Sequence, residues 1–293
     1  NAHNLITYFD VDSYNFNPEL STYKELVRTS LRKYNHALWP SFALKSAFPV
    51  HVAKQKKIPL IIHGQNQPIE QVGKFSHLDG VEQSAWSRLE HDLLGFEMED
   101  LLGSGGHVVA KDHPYYLYPE VTKLGAGKLT GIYLSNYFSW DPLLQNSQTL
   151  DYGFIPQNQA VTFDPYERAG SSIYYNFHDL SKFMRCGYRK INDHVAREIR
   201  HSRLSIKQGK KIISHYESKP VFIKDFFKWL DVSDSGYEWF LSHKLTSAKH
   251  LISDAKVTTF DGSSALSSEL KKNLAPGKNP QKQFQTYMKG INL

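Results

Sequence analysis

The densest set of groups fit for chemistry follows one short apolar run. Ile58–Lys74 reads IPLIIHGQNQPIEQVGK. Its Pro59–Ile62 stretch is continuously apolar, the pattern of a strand buried on both faces of a parallel sheet. His63-Gly64-Gln65-Asn66 comes directly after it. Gly64 lets the backbone turn sharply or approach a ligand closely. Gln65, Asn66 and Gln67 supply paired donors and acceptors suited to a base or sugar edge. Glu70 can act as a base or hold a cation. An ordinary polar turn is the competing reading, and a position at the carboxyl end of a strand favours function.

Other groups carry weaker patterns. His194, Glu198 and His201 share one helical face, a spacing open to a metal and also to plain solvation, and no metal site is expected there. Asp193 and Arg197 form an i, i+4 pair on an adjacent stripe. Arg168, Arg185, Arg189 and Lys190 are candidates to gather round phosphates, against scattered surface charge. Tyr133–Pro142 (YLSNYFSWDP) places Trp140 and other rings after a strand, either to stack on a ligand or to fill a buried turn. Ser104-Gly105-Gly106 reads as a glycine-rich helix end. The chain lacks G-x-S-x-G, H-E-x-x-H and Walker A sequences. Its one cysteine, Cys186, excludes a disulfide framework or a cysteine-built zinc site within the chain.

The elements that must position these groups follow from periodicity. Leu5–Phe9 reads as a strand. Pro18–Tyr34 has helical spacing at Leu20, Tyr23, Val27 and Leu31, and Trp39-Pro40 is expected to break it. Phe42–Lys56 resumes as a helix with Ala43, Ala47, Val50 and Ala53 on one face. The strand at Pro59–Ile62, a helix over Val81–Leu102 and a strand at Leu129–Leu134 complete a crossover pattern. The expected fold class is therefore α/β, with a parallel sheet. Beyond a Pro-, Asn- and Gln-rich stretch at Asp151–Gly170, the pattern turns helical at roughly 173–186, 189–201, 205–216, 220–230 and 233–245. Ile191, Val195 and Ile199 form a clean stripe there. The expected domains are 1–150 (α/β, nucleotide- and substrate-binding), 151–245 (helical) and 246–293 (a loosely packed tail).

Composition sets outer limits. With 293 residues, 40% hydrophobic and 22% charged, the chain can bury a core and is not of the disordered class. The net charge of +6 suits a polyanionic partner such as a nucleotide, though the charge is spread out, and only Arg185–Lys211 is densely basic. No apolar run approaches the ~20 residues that cross a bilayer. Without a signal-peptide pattern, a cytoplasmic location is expected.

Taken in order, Trp39-Pro40, Phe48-Pro49-Val50, Ala53 and IPLIIHGQNQPIEQVG (Ile58–Gly73) resemble the bacterial N-acetyl sugar amidotransferases. So does RAGSSIYYNFHDLSKFMRCGYRKINDHVAREIRHSRLSIKQG (Arg168–Gly209), where an aromatic-rich helix leads through a glycine to a helix ending in Arg-Glu-Ile-Arg. The resemblance covers roughly residues 18–245. It implies an ATP-pyrophosphatase-type α/β domain with a parallel Rossmann-like sheet, and ATP and Mg²⁺ as cofactors. The implied substrate is a nucleotide-activated N-acetyl sugar, whose acetamido group becomes acetamidino in lipopolysaccharide or flagellar glycan synthesis. Ammonia would come from a glutaminase with a barrel-type partner subunit. The resemblance makes Glu70 and Asn66 the catalytic candidates. Gly64, Gln65, Arg168, Lys182, Arg189, Asp193 and Trp140 become candidates for substrate or nucleotide contact. The chain departs from the family in lacking the Ser-Gly-Gly-x-Asp-Ser loop, since His107 and Val108-Val109 follow Gly106, and Gln65 stands where Glu is common. The ATP-binding portion is expected upstream of Asn1. The competing classes are a non-catalytic subunit that docks the ammonia-producing partners and an RNA-binding or tRNA-modifying relative.

Overall fold

The computed structural model describes residues 1–64, 82–102, 114–119, 129–138, 141–156, 161–166 and 174–255. They fall into two units. The α/β unit takes the described residues of Tyr14–Trp140. The helical unit takes Asn1–Ser13 with the described residues from Asp141 onward.

The chain opens on a helix, α1 (Ala2–Phe9), where a strand was expected. Only two of its residues are β-branched, and a strand needs a pairing partner that local sequence does not supply. The helix instead lays Tyr8 and Phe9 on Tyr152, with ring centroids 5.0 and 5.1 Å away. Asn4 Nδ2 donates to the Gly153 carbonyl at 2.7 Å.

In the α/β unit, α2 (Leu20–Tyr34) buries Leu26, Val27, Ser30, Leu31 and Tyr34 along one face. Helix α3 (Trp39–Lys56) begins at Trp39, so Trp39-Pro40 starts this helix and does not merely interrupt one. Proline suits the first turn because its missing N–H would have no intrahelical partner there. The Ala43, Ala47, Val50 and Ala53 face is buried as its spacing predicts. Strand β1 (Leu60–His63) follows. Leu60 and Ile62 are 44% and 56% exposed, so β1 is not covered on both faces. The half-buried side chains are Ile61 and His63, on its other face.

The helix expected over Val81–Leu102 is broken. Strand β2 (Glu82–Gln83) leads to Ser84, which caps a short turn reciprocally with Ser87. A wide coil at Arg88–Asp92 follows, and Leu94 and Gly95 at φ 62° and 81° end it. Positive φ at two successive residues is incompatible with a continuing helix. Helix α4 (Met98–Leu102) then restarts. Strand β3 (Thr130–Tyr133) pairs with β1 in parallel, Leu60 opposite Thr130 through His63 opposite Tyr133. It pairs with β2 antiparallel, giving the order β1-β3-β2.

The helical unit continues with α5 (Pro142–Gln148), α6 (Tyr174–Cys186), α7 (Lys190–Arg200), α8 (Ile206–Glu217), α9 (Lys224–Trp229) and α10 (Asp234–Lys244). The last five match the expected helices closely. Ile191 and Val195 pack with Phe163, Leu204, Ile212 and Tyr216, and Ile199 flanks them. Gly209 lets α8 close on α7, since a Cβ there would meet Val195 Cγ1 at 2.7 Å.

A chain of buried charges ties this unit together. Arg203 forks onto Asp141 at 2.6 and 2.9 Å, and its Nε donates to Glu198. The other Glu198 oxygen accepts from Arg197 Nε at 2.6 Å, and Arg197 Nη2 donates to Asp164 at 2.8 Å. Asp141 also accepts the Leu144 N–H that begins α5. The helical face that was a metal candidate is committed to this chain and to a His194 bond with Thr162 Oγ1. Among the described residues no group of three or more His, Cys, Asp or Glu is placed to hold a metal.

The network predicts a pH profile for stability. Burial holds the His201 imidazole below its ordinary 6.5, and Arg203 and Arg197 add to that, against Asp141 at 3.8 Å and Glu198. For Asp141 burial alone would raise the carboxyl, but the Arg203 hydrogen bond, the His201 and Arg203 charges and the Leu144 amide together carry it below 3.8. Both folded values are depressed, so on acidification the unfolded chain binds each proton first and stability falls. Urea midpoints are expected to hold steady above about pH 7, to fall through the 6s on account of His201, and to fall again below about pH 4. His201→Gln should shrink the first step to the share contributed by His63 and His215, whose imidazoles burial also holds below the ordinary value; a first step of unchanged size in that variant would assign it wholly to them.

Candidate functional site

The α/β unit places several polar side chains round the carboxyl end of β1. Phe42, Lys45 and Ser46 come from α3, His63 from β1, Gln83 from β2, and His91 and Asp92 from the coil after it. They line a cleft of about 490 Å³, counting the part open to solvent. Ser46 is buried on the Ala43–Ala47 face of α3, and its Oγ donates to the Ala43 carbonyl. The coil that brings His91 and Asp92 is held from behind by Trp39, whose Nε1 donates to the Leu93 carbonyl at 2.8 Å.

The central contact crosses a strand. His63 Nε2 meets Gln83 Oε1 at 2.9 Å, although β3 lies between the strands that carry them. Gly131 on β3 makes this possible. A Cβ at Gly131 would stand 2.6 Å from Gln83 Oε1 and 2.9 Å from its Cβ. An Oε1 acceptor puts the imidazole proton on Nε2 and leaves the lone pair on Nδ1. The ring also rests against Tyr133, with centroids 5.3 Å apart and planes at 31°.

Burial, helped by Lys45, lowers the His63 pKa below its ordinary value, while the Gln83 hydrogen bond and Asp92 act the other way. The site therefore offers an imidazole that is mostly neutral at pH 7, with a cation, a carboxylate and a hydroxyl nearby. That set can orient a small polar group and take up a proton.

Gly131→Ala is expected to expel Gln83 from His63. The overpacking should cost about 1–3 kcal/mol, measurable by urea unfolding. Histidine nitrogen shifts should show the single Nε2–H tautomer becoming a mixture. An unchanged tautomer in the variant would show that Gln83 reaches His63 without the space at Gly131.

Of the residues singled out from sequence, Gly64 directly follows β1 beside this cleft. Gln65, Asn66, Glu70, Trp140 and Arg168, and the glycines at 105 and 106, lie outside the described residues. Lys182, Arg189 and Asp193 are brought together in the helical unit. Arg189 is 1% exposed, and its Nε donates to Asp179 at 2.6 Å while Nη1 donates to the carbonyls of Tyr216 and Lys219. Asp179 also accepts the Lys190 N–H at 2.7 Å. Lys182 pairs with Asp193, lies 4.6 Å from the Tyr188 ring centre, and shares Asp193 with Lys190 at 3.9 Å. Burial lowers the Lys182 pKa, and Asp193 opposes the shift.

Sequence reasoning missed Lys45, Gln83, Asp92 and Gly131. The available signal was a glycine inside the strand pattern Leu129–Leu134, which marks a close approach by another group.

No helix among the described residues is long and apolar enough to cross a membrane. No curated protein matches the chain. Residues 160–291, a stretch that includes α6–α10, match the family model of the C-terminal domain of WbpG-like lipopolysaccharide (LPS) biosynthesis proteins, which supports a role in LPS biosynthesis.

Proposed function

We propose that this protein is an ATP-dependent amidotransferase of LPS biosynthesis. It converts the acetamido group of a nucleotide-activated N-acetyl sugar to acetamidino. The match of residues 160–291 to the WbpG-like C-terminal domain carries this reading, because it supports the glycan pathway that the sequence resemblance implies. The parallel pairing of β1 and β3 accords with a Rossmann-like sheet, and the cleft at the end of β1 is where such sheets take ligands.

An amide carbon is a poor electrophile until its oxygen becomes a leaving group, and ATP supplies that activation with Mg²⁺. Ammonia adds through a new C–N bond. The C–O bond breaks with its electron pair on oxygen, which departs on the phosphoryl group as AMP. Pyrophosphate is the other product. In this reading a glutaminase and a barrel-type subunit deliver the ammonia, in the cytoplasm. The described cleft residues do not by themselves fit a nucleotide triphosphate, since among them only Lys45 is a fixed cation and Asp92 the one carboxylate. No step is assigned to a nucleotide on them. Their part is to hold the acetamido group and manage protons.

Full-length protein incubated with nucleotide-activated N-acetyl sugars, ATP, Mg²⁺ and ammonium is the test. AMP release should depend on the sugar, and mass spectrometry should find oxygen replaced by NH in the product. Absence of AMP and of amidine with every N-acetyl sugar tried would sink the proposal.

A further inference from the structure

We infer that His63 is the base of the β1 cleft, held by Gln83 across Gly131, and that it takes the proton ammonia must shed as it bonds to the acetamido carbon. This rests on the amidotransferase reading above.

The geometry carries it. His63 sits in the cleft at the end of β1, and its Nε2–H is occupied by Gln83 Oε1 at 2.9 Å. The lone pair is thereby fixed on Nδ1. A hydrogen-bond acceptor on the far nitrogen fixes the tautomer and strengthens as the imidazole becomes imidazolium, which favours proton uptake. Gln83 is thus a positioning residue, and Gly131 supplies the space it needs. The groups facing the imidazole are Lys45 from α3, His91 and Asp92 from the coil after β2, Gln83 from β2 and Tyr133 from β3. Burial and Lys45 together keep the ring unprotonated near neutrality, and Asp92 with Gln83 keeps it basic enough to accept a proton. In the step itself the C–N bond forms, the acetamido oxygen leaves with the C–O electron pair, and one proton passes from the incoming nitrogen to Nδ1.

Nitrogen-15 histidine spectra of the full-length protein, with His63 assigned by its loss in His63→Asn, read tautomer and titration midpoint directly. The Nε2–H tautomer and a midpoint below the ordinary 6.5 are expected. Lys45→Met should raise that midpoint, and the acid limb of kcat/KM for amidination should move up with it. His63→Ala should lower kcat by roughly 10²–10⁴-fold, and Gly131→Ala should lower kcat more than it changes KM. An Nδ1–H tautomer would overturn the inference. So would an acid limb that stays put while Lys45→Met moves the midpoint, and in that case the amidotransferase reading survives. A wild-type protein that makes no amidine removes both.

Discussion

Glu198→Ala is expected to destabilise the helical unit by about 3–5 kcal/mol, the usual cost of removing one partner from a buried ion pair. Glu198 is 0% exposed and stands between two guanidiniums, Arg197 and Arg203. Removing it takes a carboxylate from both, while Arg197 keeps its bond to Asp164 and Arg203 its bonds to Asp141, all still out of water. The size of the effect reflects stranded charge rather than the net worth of the pairs, since buried ion pairs often gain little over a well-packed apolar core. Glu198→Gln keeps the shape and an acceptor oxygen, so it should lose less. Urea unfolding followed by helical circular dichroism, with hydrogen exchange across α7, checks both. A loss below about 1 kcal/mol for Glu198→Ala would mean that water reaches the two arginines once the carboxylate is gone.

The helical half was the more legible in sequence because its signals are local. The Ile191, Val195 and Ile199 stripe fixed which face of α7 turns inward, and α8 opens on Ser205, which caps reciprocally with Gln208. The misread elements depended on distant partners. Leu5–Phe9 carries strand-like residues, yet the sheet forms from β1, β3 and β2, leaving α1 to meet Tyr152. The coil at Arg88–Asp92 follows an apolar spacing that suits a helix, and positive φ at Leu94, a residue that rarely adopts it, and at Gly95 ends the run.

The site was half legible for the same reason. A strand followed by His63-Gly64 is a local pattern, and it located the cleft. Its other walls come from Lys45, Gln83 and Asp92, 18 to 29 positions away along the sequence, and no periodicity links those positions. Charge pattern misled in the helical unit. Arg189 and Glu198 look like exposed polar positions, but both are buried against an opposite charge, and α7 buries more polar groups than its apolar stripe discloses.

In the α/β unit Trp39→Ala should cost about 3–5 kcal/mol, as expected for deleting a fully buried large aromatic. Trp39 is 0% exposed, packs with Leu26, Tyr34, Ala43, Leu93, Met98, Leu101 and Tyr116, and lies 4.9 Å from the Tyr34 ring. Trp39→Phe separates two contributions. It keeps most of the packing but removes one of two N–H groups that donate to the Leu93 carbonyl, which still accepts the Phe96 amide at 3.2 Å, so the added cost is that of one hydrogen bond, about 0.5–1.5 kcal/mol. That carbonyl belongs to the residue after His91 and Asp92, so the same hydrogen bond steadies one wall of the cleft. Loosening the coil should weaken the influence of Asp92 on His63. Because Asp92 raises the His63 pKa, the His63 midpoint in Trp39→Phe should fall further below its ordinary value. Thermal unfolding gives the first quantity and histidine titration by NMR the second. A Trp39→Phe protein that is less stable but has an unmoved His63 midpoint would show that the Leu93 tether supports the core without setting the cleft.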